Sequence, residues 1–115
     1  MTPQSLAGLI VYNQKPESLL AFYRDQLGIP LALAKHGRLA EHYEAMLDHS
    51  HVALLPGAPR LVPSFRVPDL DAALAYAGAR GARPVMAPLD LGEGKRVAGL
   101  GGPDGFEIRF IEIHE

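Results

Sequence analysis

Apolar positions along the first half of the chain change period several times, and each change marks an element. Leu6-Ala7-Gly8-Leu9-Ile10-Val11-Tyr12 is a short, nearly unbroken apolar run, which predicts a strand buried on both faces. Asn13 to Pro16 break it, and Pro16 suits the first turn of a helix, where a missing N–H costs nothing. Leu19, Leu20, Tyr23 and Leu27 then recur at helical spacing, with Phe22 widening the stripe and Gly28 placed to end it. Ile29 to Ala34 predicts a strand, and Lys35-His36-Gly37 a turn. Ala40 to Leu47 and Ser50 to Leu55 predict two strands joined by a tight Asp48-His49 turn. Pro56-Gly57-Ala58-Pro59 breaks the pattern and predicts a linker.

The second half repeats the plan. Leu61 to Val67 predicts a strand in which Pro63 suggests an edge or a bulge. Asp69 is placed as the N-cap of an alanine-rich helix that Gly81 ends. Pro84 to Ala87 predicts a short strand, Leu89 to Gly94 a loop, and Arg96 to Leu100 a strand. Gly102-Pro103-Asp104-Gly105 predicts a turn before a last strand, Phe106 to Ile113. A shift of 54 places Leu20-Ala21-Phe22 on Leu74-Ala75-Tyr76, Pro30 on Pro84 and Gly8 on Val62. The order strand, helix and three strands therefore occurs twice: module one over 5–56, module two over 60–113, in a single domain of 115 residues.

Composition narrows the function classes. The net charge is -2, which gives no basic surplus for nucleic acid and no polybasic run for an anionic membrane. No cysteine is present, so disulfides, thiolate metal sites and a cysteine nucleophile are excluded. Met1 to Ala7 lacks the pattern of a signal peptide, and the apolar runs are too short to span a bilayer, so the expected location is cytoplasmic.

Three stretches resemble the vicinal oxygen chelate superfamily, which includes glyoxalase I, bleomycin-resistance proteins, fosfomycin-resistance enzymes and extradiol dioxygenases. Ser18-Leu19-Leu20-Ala21-Phe22-Tyr23-Arg24-Asp25-Gln26-Leu27-Gly28 is similar to the family's first helix and its exit. Phe65-Arg66-Val67-Pro68-Asp69-Leu70-Asp71-Ala72-Ala73 is similar to its second strand-to-helix passage, and Gly102-Pro103-Asp104-Gly105-Phe106-Glu107-Ile108 to its closing turn and strand. The resemblance implies an α+β fold in which two βαβββ modules form a curved, cup-like mixed sheet with helices outside. It also implies a divalent metal held from four strands, at positions that fall here on Gly8, Ala53, Val62 and Arg109. Glycine, alanine and valine have no donor, and arginine repels a cation. The family's capping Asp in the first half is replaced by Lys15. No cofactor is therefore expected; the alternative is a divalent metal such as Zn, Ni, Mn or Fe.

Strand alternation around those positions defines the inward face. It places Gly8, Ile10 and Tyr12 together, then Val62, Ser64 and Arg66, then Glu107, Arg109 and Ile111. A two-residue turn at Asp48-His49 pairs Met46 with His51, Glu44 with Ala53 and His42 with Leu55, all facing inward. The candidate ligand-binding residues are Ile10, Tyr12, Met46, Ser64, Arg66, Glu107 and Arg109. Arg66 and Arg109 either clamp an anion or form structural pairs with Glu107 or Glu44. Tyr12 either stacks on a ligand or fills the core. His51 and Glu44 are the candidates for a general base, and His42, Glu44 and His51 form the alternative metal set. Against these stands the reading that the histidines, with His36, His49 and His114, are solvated surface residues.

The first functional expectation is a metal-independent protein that binds a small aromatic or anionic molecule, for resistance or sequestration. The alternative is a lyase, isomerase or dioxygenase of the same superfamily, with His51 and Glu44 as base or replacement ligands. A third is an interaction module. Family members often pair, so a homodimer is expected, with no nucleic-acid or membrane partner.

Overall fold

A computed structural model describes residues 3–35 and 40–114. The described residues form an α+β fold of eight strands with one α-helix and one irregular helical segment. Its contacts divide it into two compact units, Gly8–Val62 and Met1–Ala7 with Pro63–Glu115. Among the described residues no helix is long and apolar enough to cross a membrane.

In module one, β1 (Ser5–Asn13), β2 (Ala32–Ala34), β3 (His42–Leu47) and β4 (Ser50–Pro56) lie in the order β2-β3-β4-β1. β1 runs parallel to β4 and pairs Gly8 with His51, Ile10 with Ala53 and Tyr12 with Leu55. As its unbroken apolar run predicts, β1 is covered on both sides. Ile10 and Tyr12 join Ala53, Leu55 and Val62 in one cluster, while Val11 joins Leu31, Ala45 and Leu54 in another. The β3–β4 hairpin turns at Asp48-His49 in the predicted register, with Met46 opposite His51 and Glu44 opposite Ala53. Asp48 takes the positive φ of 54° that such a turn requires. The expected Lys35-His36-Gly37 turn lies mostly outside the described residues.

The helix predicted after Pro16 departs from the α form. Pro16–Leu19 is a 3₁₀ turn and Ala21–Gln26 a π-helical segment, closed by Leu27 N–H donating to the Phe22 carbonyl at 3.0 Å. No side chain caps its start, where Lys15 stands, so the first turn tightens around Ser18 N–H to Lys15 O at 2.9 Å. Leu19, Leu20 and Tyr23 still pack on the Val11–Leu54 cluster, so the apolar stripe is retained while the winding changes. The expected strand Ile29 to Ala34 shortens to Ala32–Ala34.

In module two, β5 (Arg60–Arg66), α1 (Leu70–Ala79), β6 (Arg83–Gly92), β7 (Lys95–Gly101) and β8 (Glu107–Ile113) follow one another, and the strand order is β5-β8-β7-β6. β5 runs parallel to β8, pairing Ser64 with Arg109. Pro63 does not mark an edge, since β5 has a neighbour on each side in the sheet order. The pairing with β8 starts at Ser64, one residue beyond it, and the Arg66 carbonyl accepts from Gln4 N–H at 2.7 Å on the other side.

α1 is held at its start by two carboxylates. Asp69 Oδ1 accepts from Ala72 N–H at 3.0 Å, as predicted for an N-cap, and Glu112 Oε1 on β8 accepts from Leu70 N–H at 2.8 Å. Gly81, at φ 95°, ends the helix, with Ala82 N–H returning to the Ala77 carbonyl. Leu70 and Ala73 pack with Val67 and Ala98. The short strand and loop predicted over Pro84 to Gly94 are one ten-residue strand. Its pairing with β7 shifts register between Pro84 and Met86, between Met86 and Leu89, and between Asp90 and Gly92. A terminal strand tolerates Pro84 and Pro88, and the shifts absorb their missing donors.

Candidate functional site

β3 sets His42 and Glu44 two residues apart, on one face of the strand. His42 is only 2% exposed. Its Nδ1 lies 2.9 Å from the Ala40 carbonyl oxygen, and its Nε2 lies 3.2 Å from Glu44 Oε2. The Glu44 side chain is 36% exposed, and its neighbours across the ladders are Ala32 on β2 and Ala53 on β4. Both neighbours carry a single methyl side chain. The sequence sets His51 nearest Glu44 and leaves His42 on the same inward face, with solvated surface histidines as the competing reading. The structure buries His42 and bonds it to Glu44. The i, i+2 spacing on a strand was the available signal; the Ala40 carbonyl, a backbone group, left none.

The other candidates of module one fall into two kinds. Ile10 and Tyr12 are buried, and the Arg60 guanidinium sits 3.7 Å from the centre of the Tyr12 ring, so Tyr12 is part of the packing. Met46 is exposed, and His51 opposite it is half-buried. Gly8 lies against His51: a Cβ there would run into the His51 carbonyl oxygen and come within 2.8 Å of its ring Cγ.

In module two, Ser64 and Arg109 are cross-strand neighbours, 1% and 6% exposed. Arg109 Nε donates to Glu107 Oε2 at 2.6 Å, the structural pair that the sequence offers as one use of this arginine. Gly99 on β7, opposite Arg109, makes the pair possible. A Cβ there would stand 2.6 Å from Glu107 Oε2 and 3.1 Å from Met86 Cβ. Arg66 instead reaches the Ile113 carbonyl through Nη2 at 3.3 Å. A cavity of about 310 Å³, almost wholly apolar, lies between α1 and the β6–β7 pair, walled by Leu74, Ala75, Gly78, Met86 and Leu100 among others.

The family's metal positions do not fit a divalent ion. Val62 is wholly buried in an apolar cluster, Gly8 and Ala53 carry no donor, and Arg109 places a cation beside Glu107. Among the described residues no three His, Asp or Glu side chains gather as a ligand set.

Solved structures share this α+β arrangement of strands and helices along nearly the whole chain. A methylmalonyl-CoA epimerase from Streptomyces coelicolor, in complex with 2-nitronate-propionyl-CoA, is 16% identical over 99% of this chain and 100% of its own, with a TM-score of 0.77. The methylmalonyl-CoA epimerase from Mycobacterium tuberculosis is 17% identical over 98% and 90%, at 0.74. A hypothetical protein from Bacillus halodurans is 17% identical over 96% and 94%, at 0.77. No family model and no curated protein matches the sequence.

Proposed function

We propose that this chain is an isomerase-type enzyme of the vicinal oxygen chelate fold, moving a proton at carbon next to a carbonyl group. The observation that carries the reading is the Glu44 carboxylate, bonded by a buried histidine and flanked by two alanines, on the fold of an epimerase. This favours the enzyme over a protein that only sequesters a ligand. In the proposed step the C–H bond breaks, its proton passes to Glu44, and its electron pair moves toward the carbonyl oxygen as an enolate. Return of a proton to the opposite face inverts the carbon, and His51 is the candidate donor. The residues at the family's metal positions do not fit a metal, so no step is routed through one. A homodimer remains part of the proposal, to be read by light scattering.

Methylmalonyl-CoA, the ligand of one epimerase of this fold, is the first probe. Incubation in D₂O followed by mass spectrometry reads deuterium entering at C2. Wild type should exchange, and Glu44→Gln should lose about 10²–10⁴-fold in rate. No exchange by wild type, on this or a panel of acyl thioesters, would sink the enzyme reading. The apolar cavity against α1 favours binding alone as the second reading, which tight binding of an apolar probe without turnover would support.

A further inference from the structure

We infer that His42 and Glu44 hold one shared proton, and that His42 is a positioning residue that sets the protonation and direction of the Glu44 carboxyl. The inference rests on the reading of Glu44 as the base. A backbone carbonyl oxygen can only accept, so the 2.9 Å contact with Ala40 requires a hydrogen on His42 Nδ1. His42 Nε2 faces Glu44 Oε2 at 3.2 Å, where two lone pairs would repel unless a proton lies between them. The proton sits either on nitrogen, as imidazolium and carboxylate, or on oxygen, as imidazole and carboxylic acid. Both forms are neutral overall, which is the state that a ring 2% exposed to water tolerates.

The fixed tautomer gives the pair a direction. Ala40 holds one side of the ring, the other faces Glu44, and one carboxylate oxygen is committed to it. The half-exposed carboxyl then accepts the substrate proton. After that transfer the pair holds two protons and one positive charge, matched by the one negative charge of the enolate. Burial keeps water from supplying or draining the proton on the histidine side, so the base is reset through the substrate or through solvent at Glu44.

The test combines a spectroscopic signature with turnover. In ¹⁵N-histidine-labelled protein, long-range ¹H–¹⁵N spectra should show His42 Nδ1 protonated. The Nε2 resonance should sit away from both free tautomers and move on Glu44→Gln, which leaves the buried ring intact. His42→Asn should lower kcat for deuterium exchange about 10²-fold with little change in KM. A His42 found as the Nε2–H tautomer, or an Nε2 resonance that Glu44→Gln leaves in place, would overturn the inference even if exchange is observed. Unchanged kcat in a folded His42→Asn protein would also overturn it. The expected spectra with no exchange by wild type would leave the shared proton standing and remove Glu44 from catalysis instead.

Discussion

Carboxylates in this chain are put to different uses by their neighbours. Glu44 stands half-exposed beside a buried imidazole. Glu107 is closed against Arg109, and Glu112 is spent on the start of α1. Asp25, well exposed, accepts from Arg24 Nε at 2.8 Å, and that hydrogen bond holds its carboxyl below the ordinary value of 3.8. A lowered carboxyl favours the folded state above the ordinary range, and the contribution fades as pH falls through the lowered value. An NMR titration should find Asp25 with a midpoint below 3.8, and Arg24→Ala should return it to the ordinary value. Of these roles, the strand face shared by His42 and Glu44 was legible in the sequence from the two-residue period. The burial of His42 was not, because it depends on the Ala40 carbonyl and on how β2 and β4 flank the strand.

At the scale of elements, α1 and the first helical segment show what capping decides. Both have an apolar stripe, but only α1 has a carboxylate at its N-cap. It forms a regular ten-residue helix, while the other, entered at Lys15, winds through 3₁₀ and π turns. Asp69→Ala should therefore cost about 1 kcal/mol in chemical denaturation. Glu112→Ala should cost more, because it strips the Leu70 N–H of a partner in a buried setting; an equal or smaller loss would mean that water replaces the carboxylate there. The cap of α1 could be read from Asp69 alone. The second carboxylate could not, since Glu112 lies 42 residues along the chain and reaches the helix only when β8 forms. Only the first part of β6, Pro84 to Ala87, was legible; its continuation to Gly92 past Pro88 depends on a terminal strand slipping register.

For the whole molecule, the duplicated plan was legible because each module writes its own pattern of periods, and the two parallel pairings repeat it: Ile10 with Ala53 in one, Ser64 with Arg109 in the other. What a duplicated scaffold carries was not legible from the plan, since one fold hosts many chemistries. At the positions where relatives in the resembled family would place metal ligands, this chain has no donor set. Dialysis against zinc, nickel, manganese and iron salts, followed by mass spectrometry, should find less than stoichiometric metal. Near-stoichiometric retention would instead put the histidines and Glu44 in the role of replacement ligands.

The two prolines of β6 have a further consequence. The outer side of a last strand is a row of backbone donors and acceptors that another molecule's strand can zip onto, the first event in many β-type aggregates. Pro84 and Pro88 delete donors from this strand, and the register shifts beside them bend what remains away from a straight template. Pro84 and Pro88 thus guard β6, keeping this end of the strand order from recruiting copies of itself at high concentration.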